Sequence, residues 1–189
     1  MIRVGLVGDI GSGKSFLAKK FGYPVFNADH EVAKLYKKEK KVFLKLKTII
    51  PKYIYSFPIN KKEITKAILA NEQNLKKIVK IVHIEIRKKM LIFLRKNKSK
   101  KAVILDIPLL LENKLNRQKD IIIFVKSQRS QIYKRLKKRK NFNQKLFNKF
   151  KKLQLPLDYK KRRSNFTIKN DFTGKSVKKD VKAILKKIL

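Results

Sequence analysis

Gly8-Asp9-Ile10-Gly11-Ser12-Gly13-Lys14-Ser15 matches the pattern G-x-x-x-x-G-K-[ST] at every position. Residues 2–7 before it are mostly apolar and β-prone, and residues 16–21 after it read as helix. Strand, glycine-rich loop and helix in that order make a phosphate cradle. Glycine permits backbone conformations closed to other residues, so successive N–H groups converge on phosphate oxygens at the positive end of the helix. Lys14 would reach the β- and γ-phosphates and Ser15 would ligate Mg²⁺. Half of the chain's six glycines fall in these eight residues, which argues against a chance glycine turn. The octapeptide therefore implies a nucleoside triphosphate site.

Working outward, four further apolar runs read as strands: 24–27, 102–107, 121–125 and 166–168. Helical patterns separate them, which is the alternation of a doubly wound α/β fold with a parallel sheet of about five strands. Continuous runs such as Ile121-Ile122-Ile123-Phe124-Val125 imply burial on both faces, and ligands are then expected beyond the C-terminal strand ends. Two stretches exceed what simple crossovers need. Residues 31–97 read as a helical insertion that covers the acceptor, with a break near 51–60 and a long helical pattern over 61–96. Residues 128–163 read as a mobile lid, carrying Arg129, Arg135 and Arg139 on one helix, a polar turn at Asn141-Phe142-Asn143 and a second basic helix. The remainder, about 1–30, 98–127 and 164–189, forms the core of a single domain.

The 189 residues suffice for one domain with attached subdomains. Fifty-two basic residues against thirteen acidic ones give a formal charge of +39, the ordinary mark of a polyanion partner. Here lysine outnumbers arginine 43 to 9, and the lysines are spread through every segment among many Ile, Asn and Phe. That distribution reads as compositional drift on solvated faces, so no specific nucleic-acid partner is expected. Without cysteine there is neither a disulfide nor a thiolate metal site. No apolar leader and no run of about 18 apolar residues occurs, so a cytoplasmic protein without membrane contact is expected, as a monomer or weak homo-oligomer.

Asp106 ends the apolar run Ala102-Val103-Ile104-Leu105, in the form of a Walker B carboxylate that holds Mg²⁺; otherwise it is a turn residue. Ile107-Pro108 follows it where hydrolytic ATPases often carry a water-activating Glu, which favours a kinase. Asp29, just past the second strand, is either a base for an acceptor hydroxyl or the N-cap of a helix starting near His30. Arg135 and Arg139 lie four apart on one helix face, where they neutralise a phosphoryl group or simply face solvent. Arg87 is a candidate for an anionic acceptor, and His83 by itself reads as structural.

Together these segments resemble the dephospho-coenzyme A kinases, over about residues 2–176. The resemblance rests on the P-loop, Val25-Phe26-Asn27-Ala28-Asp29, Ile81-Val82-His83 with Arg87, and the more specific Asp106-Ile107-Pro108-Leu109-Leu110-Leu111-Glu112. The lid arginines and Gln154-Leu155-Pro156-Leu157 with Lys160-Lys161-Arg162 complete it. It implies transfer of the ATP γ-phosphoryl group to the ribose 3′-hydroxyl of dephospho-CoA, with Asp29 as base, Lys14 with Ser15 and Mg²⁺ on the phosphates, and Arg139 closing over the transferred group. Nucleotide contacts would run from Gly8 through Phe16 with Arg135 and Asn170. Acceptor contacts would involve Asp29, His83, Arg87, Asp106, Pro108 and Leu109. The chain departs from the family pattern in four places: Asn27 replaces an Asp, Ile84 a Pro and Phe150 an Arg, and Asn170-Asp171-Phe172 lacks the glycine of an Asn-x-Gly adenine loop. Two other functions share some of these features. A nucleotide or shikimate kinase would share cradle and lid, and a nucleic-acid ATPase would add a hydrolytic Glu and a concentrated basic stripe with stacking aromatics, neither of which is evident.

Overall fold

The computed structural model describes residues 1–140 and 142–189, so Asn141 of the expected polar turn lies outside the described residues. The five expected strands form: β1 (Ile2–Gly8), β2 (Val25–Asn27), β3 (Ala102–Asp106), β4 (Ile121–Lys126) and β5 (Phe166–Lys169). They make one sheet in the order β2-β3-β1-β4-β5, with every pair parallel. The helices between them are α1 (Lys14–Lys20), α2 (Ala28–Lys38), α3 (Lys40–Ile49), α4 (Lys61–Ala70), α5 (Glu72–Lys96), α6 (Arg129–Lys137), α7 (Gln144–Lys152), α8 (Leu157–Arg162) and α9 (Lys175–Ile188).

Alternating strand residues feed two cores, as the continuous apolar runs require. On one face Val4, Leu6, Ile104, Ile123 and Ile168 pack against Leu17 of α1, Phe21 just past it, and Val177, Val181 and Ile184 of α9. On the other face Val7, Val103, Leu105, Ile122 and Phe124 meet the helices of the insertion. There α5 presents a stripe of Leu75, Ile78, Val82, Ile86, Met90 and Leu94, spaced at three and four, along roughly 37 Å of helix. Gly5 lets the chain after β3 lie flat on this face, since a Cβ at that position would strike Leu110.

The expected helical pattern over 61–96 divides at Asn71, whose side chain accepts the N–H of Asn74 at 2.7 Å and starts a second helix. An Asx cap in mid-pattern outweighs continued periodicity because it satisfies a donor that the new helix would leave orphaned. Among the described residues no helix is long and apolar enough to cross a membrane.

Candidate active site

The parallel register brings Gly8 beside Val125 and Asn27 beside Asp106 at one edge of the sheet. Beyond that edge lies a cavity of about 330 Å³. Its walls are Ile10, Gly11, Gly13, Lys14, Ser15 and Phe16 of the P-loop, with Asp29, Asp106 and Pro108 from the adjoining strand ends. Arg135 of α6, Arg139 just past it, Gln154 between α7 and α8, and Phe172 after β5 close the remaining sides.

The loop itself is held from three directions. Its Ser12 carbonyl accepts hydrogen bonds from Ser127 Oγ at 3.0 Å and Asn170 Nδ2 at 2.8 Å, while the Ser12 N–H donates to the Asp9 carbonyl at 3.2 Å. Gly13 has φ of 90° and closes against Asn170 so tightly that a Cβ would collide with the Asn170 amide. Lys14 is 8% exposed, and its ammonium donates to the carbonyls of Asp9 at 2.7 Å and Gly8 at 3.2 Å. Burial lowers its pKa to about 8, against an opposing pull from Asp106. Ser15 is exposed at the start of α1, its hydroxyl open to the cavity.

Asp106 is 3% exposed, and its Oδ2 accepts from Asn27 Nδ2 at 2.6 Å. Asn27 caps α2 with its other amide atom, Oδ1 accepting the His30 N–H at 2.7 Å. The N-cap reading of Asp29 is thereby excluded: the helix starts two residues earlier than expected, and Asp29 stands in its first turn, exposed and lining the cavity. The cavity walls remove enough bulk water to raise the Asp29 carboxyl above the ordinary range, with Asp106's charge as second cause and Lys14 and Arg139 opposing. Serine hydroxyl and carboxylate oxygens are hard donors, and Ser15 with Asp106 suits a metal that takes one or two protein ligands and completes its shell with phosphate and water.

Not every expected contact gathers here. Arg139 lies past the C-terminus of α6 rather than on it, while still reaching the cavity. Asn170 is 2% exposed with both amide atoms engaged, at the Ser12 carbonyl and the Phe172 N–H, so it braces the loop from behind instead of lining the cavity. His83 sits half-buried on α5 near Asn113 at 3.4 Å, its pKa lowered by burial and by Arg87. Arg87 lines a separate cavity of about 190 Å³ with Arg3, Lys114 and Arg117, and the Leu109 carbonyl accepts from Asn113 Nδ2. None of the three faces the P-loop cavity. Asn27, Gln154 and Phe172 enter the sequence reading only as parts of the resemblance, with no site role given to them, and Ser127, which follows β4 and bonds the Ser12 carbonyl, does not enter it.

The dephospho-CoA kinase family model matches residues 2–176. A dephospho-CoA kinase of Wolbachia sp. subsp. Brugia malayi is 33% identical over 187 residues, covering 96% of this chain and 95% of that protein. That of Bartonella quintana is 31% identical over 92% of this chain and 90% of its own length. In fold, the chain is similar to TT1252 from Thermus thermophilus, with a TM-score of 0.79 at 24% identity over 100% and 98% of the two chains. It is also similar to dephospho-CoA kinase from Campylobacter jejuni, with a TM-score of 0.65 at 19% identity over 98% and 96%.

Proposed function

The chain belongs to the dephospho-CoA kinase family, an ATP-dependent kinase family, and from that premise we propose how its own residues carry the reaction. The acceptor is dephospho-CoA, bound with its ribose 3′-hydroxyl toward Asp29. Asp29 takes the proton of that hydroxyl as its oxygen attacks the γ-phosphorus of ATP, and the bond from the γ-phosphorus to the bridging oxygen of ADP breaks in line. Lys14 and Arg139 stabilise the charge on the transferred group, so positioning and electrostatics supply the catalysis without a phosphoenzyme. Ser15 and Asp106 would hold Mg²⁺, which when bound neutralises charge across the β- and γ-phosphates.

The observation that carries this reading is Asp29: a carboxylate open to the P-loop cavity, set opposite Arg139, with its pKa raised toward the range useful to a base. Ile107 and Pro108 after Asp106 support transfer over hydrolysis. Within the fold, residues 31–97 serve as the acceptor cover and 128–163 as the lid. The movable part of that lid ends before α8, because Lys160 of that helix is buried against Glu112.

The test is phosphoryl transfer from Mg-ATP by the purified protein to dephospho-CoA, with adenosine, AMP and shikimate as parallel acceptors and hydrolysis as background. Selective formation of coenzyme A is expected. Preference for another acceptor, in folded protein that binds ATP, would overturn the assignment.

A further inference from the structure

Arg3 is 7% exposed near the start of β1, and its guanidinium is only partly satisfied. Nη2 meets Asp120 Oδ2 at 2.9 Å and donates to the Leu115 carbonyl at 3.1 Å, whereas the Nε–H is buried with no acceptor among the described residues. A buried cationic donor in that state is costly, and an acceptor that reached it would be favoured. Arg3 lines the cavity of about 190 Å³ together with Arg87, Lys114 and Arg117, with Met90 and Leu91 of α5 in its apolar wall. No carboxylate lines it among the described residues. The one beside it, Asp120, is already engaged by Arg3 and by the Arg117 N–H at 2.8 Å. Four cations against that single carboxylate leave three positive charges around one small cavity.

These residue types are not what the composition supplies. Lysine outnumbers arginine 43 to 9, yet three of the nine arginines line this cavity, and two others, Arg135 and Arg139, line the P-loop cavity. Arginine binds phosphate through a planar fork where lysine offers a point charge, so its retention here points to a phosphate ligand rather than to a solvated face. The fourth cation, Lys114, has φ of 50°, a backbone that glycine takes without strain and lysine does not. We propose that this cavity is a second anion site, which takes the diphosphate group of a small molecule onto Arg3, Arg87, Lys114 and Arg117. Burial lowers the Arg3 pKa against the pull of Asp120, and Arg117 lowers it further, so a bound anion also relieves a strain on the fold. From Arg3 to Gly8, β1 runs about 16 Å, which sets this site at the opposite end of the strand from the P-loop. A ribose and its 5′-diphosphate are adjacent groups, so an acceptor with its 3′-hydroxyl at Asp29 does not place its diphosphate here. The inference therefore stands apart from the acceptor assignment.

The experiment is calorimetric titration of the full chain at about 0.15 M ionic strength, with its P-loop filled by a non-hydrolysable ATP analogue and Mg²⁺. The probes are inorganic diphosphate and UDP, which distinguish the free anion from its ester. Wild type is compared with Arg117→Gln, Lys114→Gly and, as a control for general attraction of anions, Lys186→Gln on α9, a helix that packs on the other face of the sheet. At least one probe is expected to saturate a single site, with affinity about tenfold or more weaker in Arg117→Gln, weaker in Lys114→Gly and unchanged in Lys186→Gln. Lys114→Gly relieves backbone strain, so its melting temperature is expected to equal or exceed wild type, which separates lost binding from unfolding. Saturable binding of neither probe, equal affinity in wild type and Arg117→Gln, or an equal loss in Lys186→Gln would overturn the proposal. So would a raised KM for dephospho-CoA in Arg117→Gln, which would give the cavity to the acceptor.

Discussion

Lys160 Nζ lies 2.6 Å from Glu112 Oε1, with the two side chains 1% and 9% exposed. The same Glu112 oxygen accepts the Leu155 N–H at 3.1 Å, so one carboxylate ties α8 and the residues just before it to the chain that follows β3. Glu112 closes the Asp106–Glu112 string and anchors α8 to it. Removing one partner of a buried pair leaves the other charge without compensation, whereas removing both is far milder. Lys160→Met is therefore expected to destabilise the fold by roughly 3–5 kcal/mol, with Glu112→Leu added in the same chain recovering most of it. Urea unfolding of the two variants checks this; equal stability of single and double variants would deny the pair its anchoring role.

Asp29→Asn should retain ATP binding and lose transfer by about 10²–10⁴-fold, the range for removing a positioned base. The pH dependence has a definite sign. As the proposed base, Asp29 can work only when ionised, and burial together with Asp106 raises its pKa, so the rate should fall on the acid side at a pH above the ordinary carboxylate value of 3.8. The residual activity of the Asn variant should lack that acid limb. A rate profile with the limb unchanged in Asp29→Asn would assign it to another group.

The features legible from sequence are those written in local order. The P-loop is contiguous, and the five strands are apolar runs whose period and flanks fix them, so their bounds agree with the structure to within one residue. Asp29 and Asp106 were readable because each stands at the end of an apolar run, Asp106 as the last residue of β3 and Asp29 two residues past β2. What escaped depends on partners distant in the chain: Asn27 is chosen over Asp29 as cap because its amide also meets Asp106, 79 residues away. The Asn170 amide likewise contacts Ser12, 158 residues away, and so braces the P-loop, which local order could not reveal. Periodicity assigned His83 and Arg87 to a helix correctly but could not tell which end of the sheet they face.

Asn27→Asp would set two carboxylates where Nδ2 and Oδ2 now stand 2.6 Å apart. The cap survives, because Asp accepts the His30 N–H as well as Asn does. Ionised together, the two carboxylates set like charges side by side, with Asp29 nearby. The variant should therefore be less stable than wild type at neutral pH, and Mg²⁺ should restore more stability to it than to wild type. Thermal unfolding with and without Mg²⁺ tests this; equal stability of variant and wild type in both conditions would mean the carboxylates do not interact.

The phosphate-binding role proposed for Lys14 comes at the expense of the fold's own stability. An unfolded lysine titrates near 10.5 and Lys14 near about 8, so between these values the unfolded chain holds more protons and stability rises with pH. Below about pH 8 the buried ammonium imposes its full penalty, of order 3 kcal/mol before its hydrogen bonds to Gly8 and Asp9 are counted. Lys14→Met should then raise the stability of the empty protein at pH 7 by about 1–3 kcal/mol while abolishing tight ATP binding. ATP affinity of the wild type should run the other way, falling as pH climbs past about 8, because the phosphates need the ammonium that high pH removes. Unfolding of the variant at pH 7 and ATP titrations of the wild type at pH 7 and 9 measure the two halves; a less stable Lys14→Met would mean the hydrogen bonds to the loop carbonyls outweigh the burial of charge.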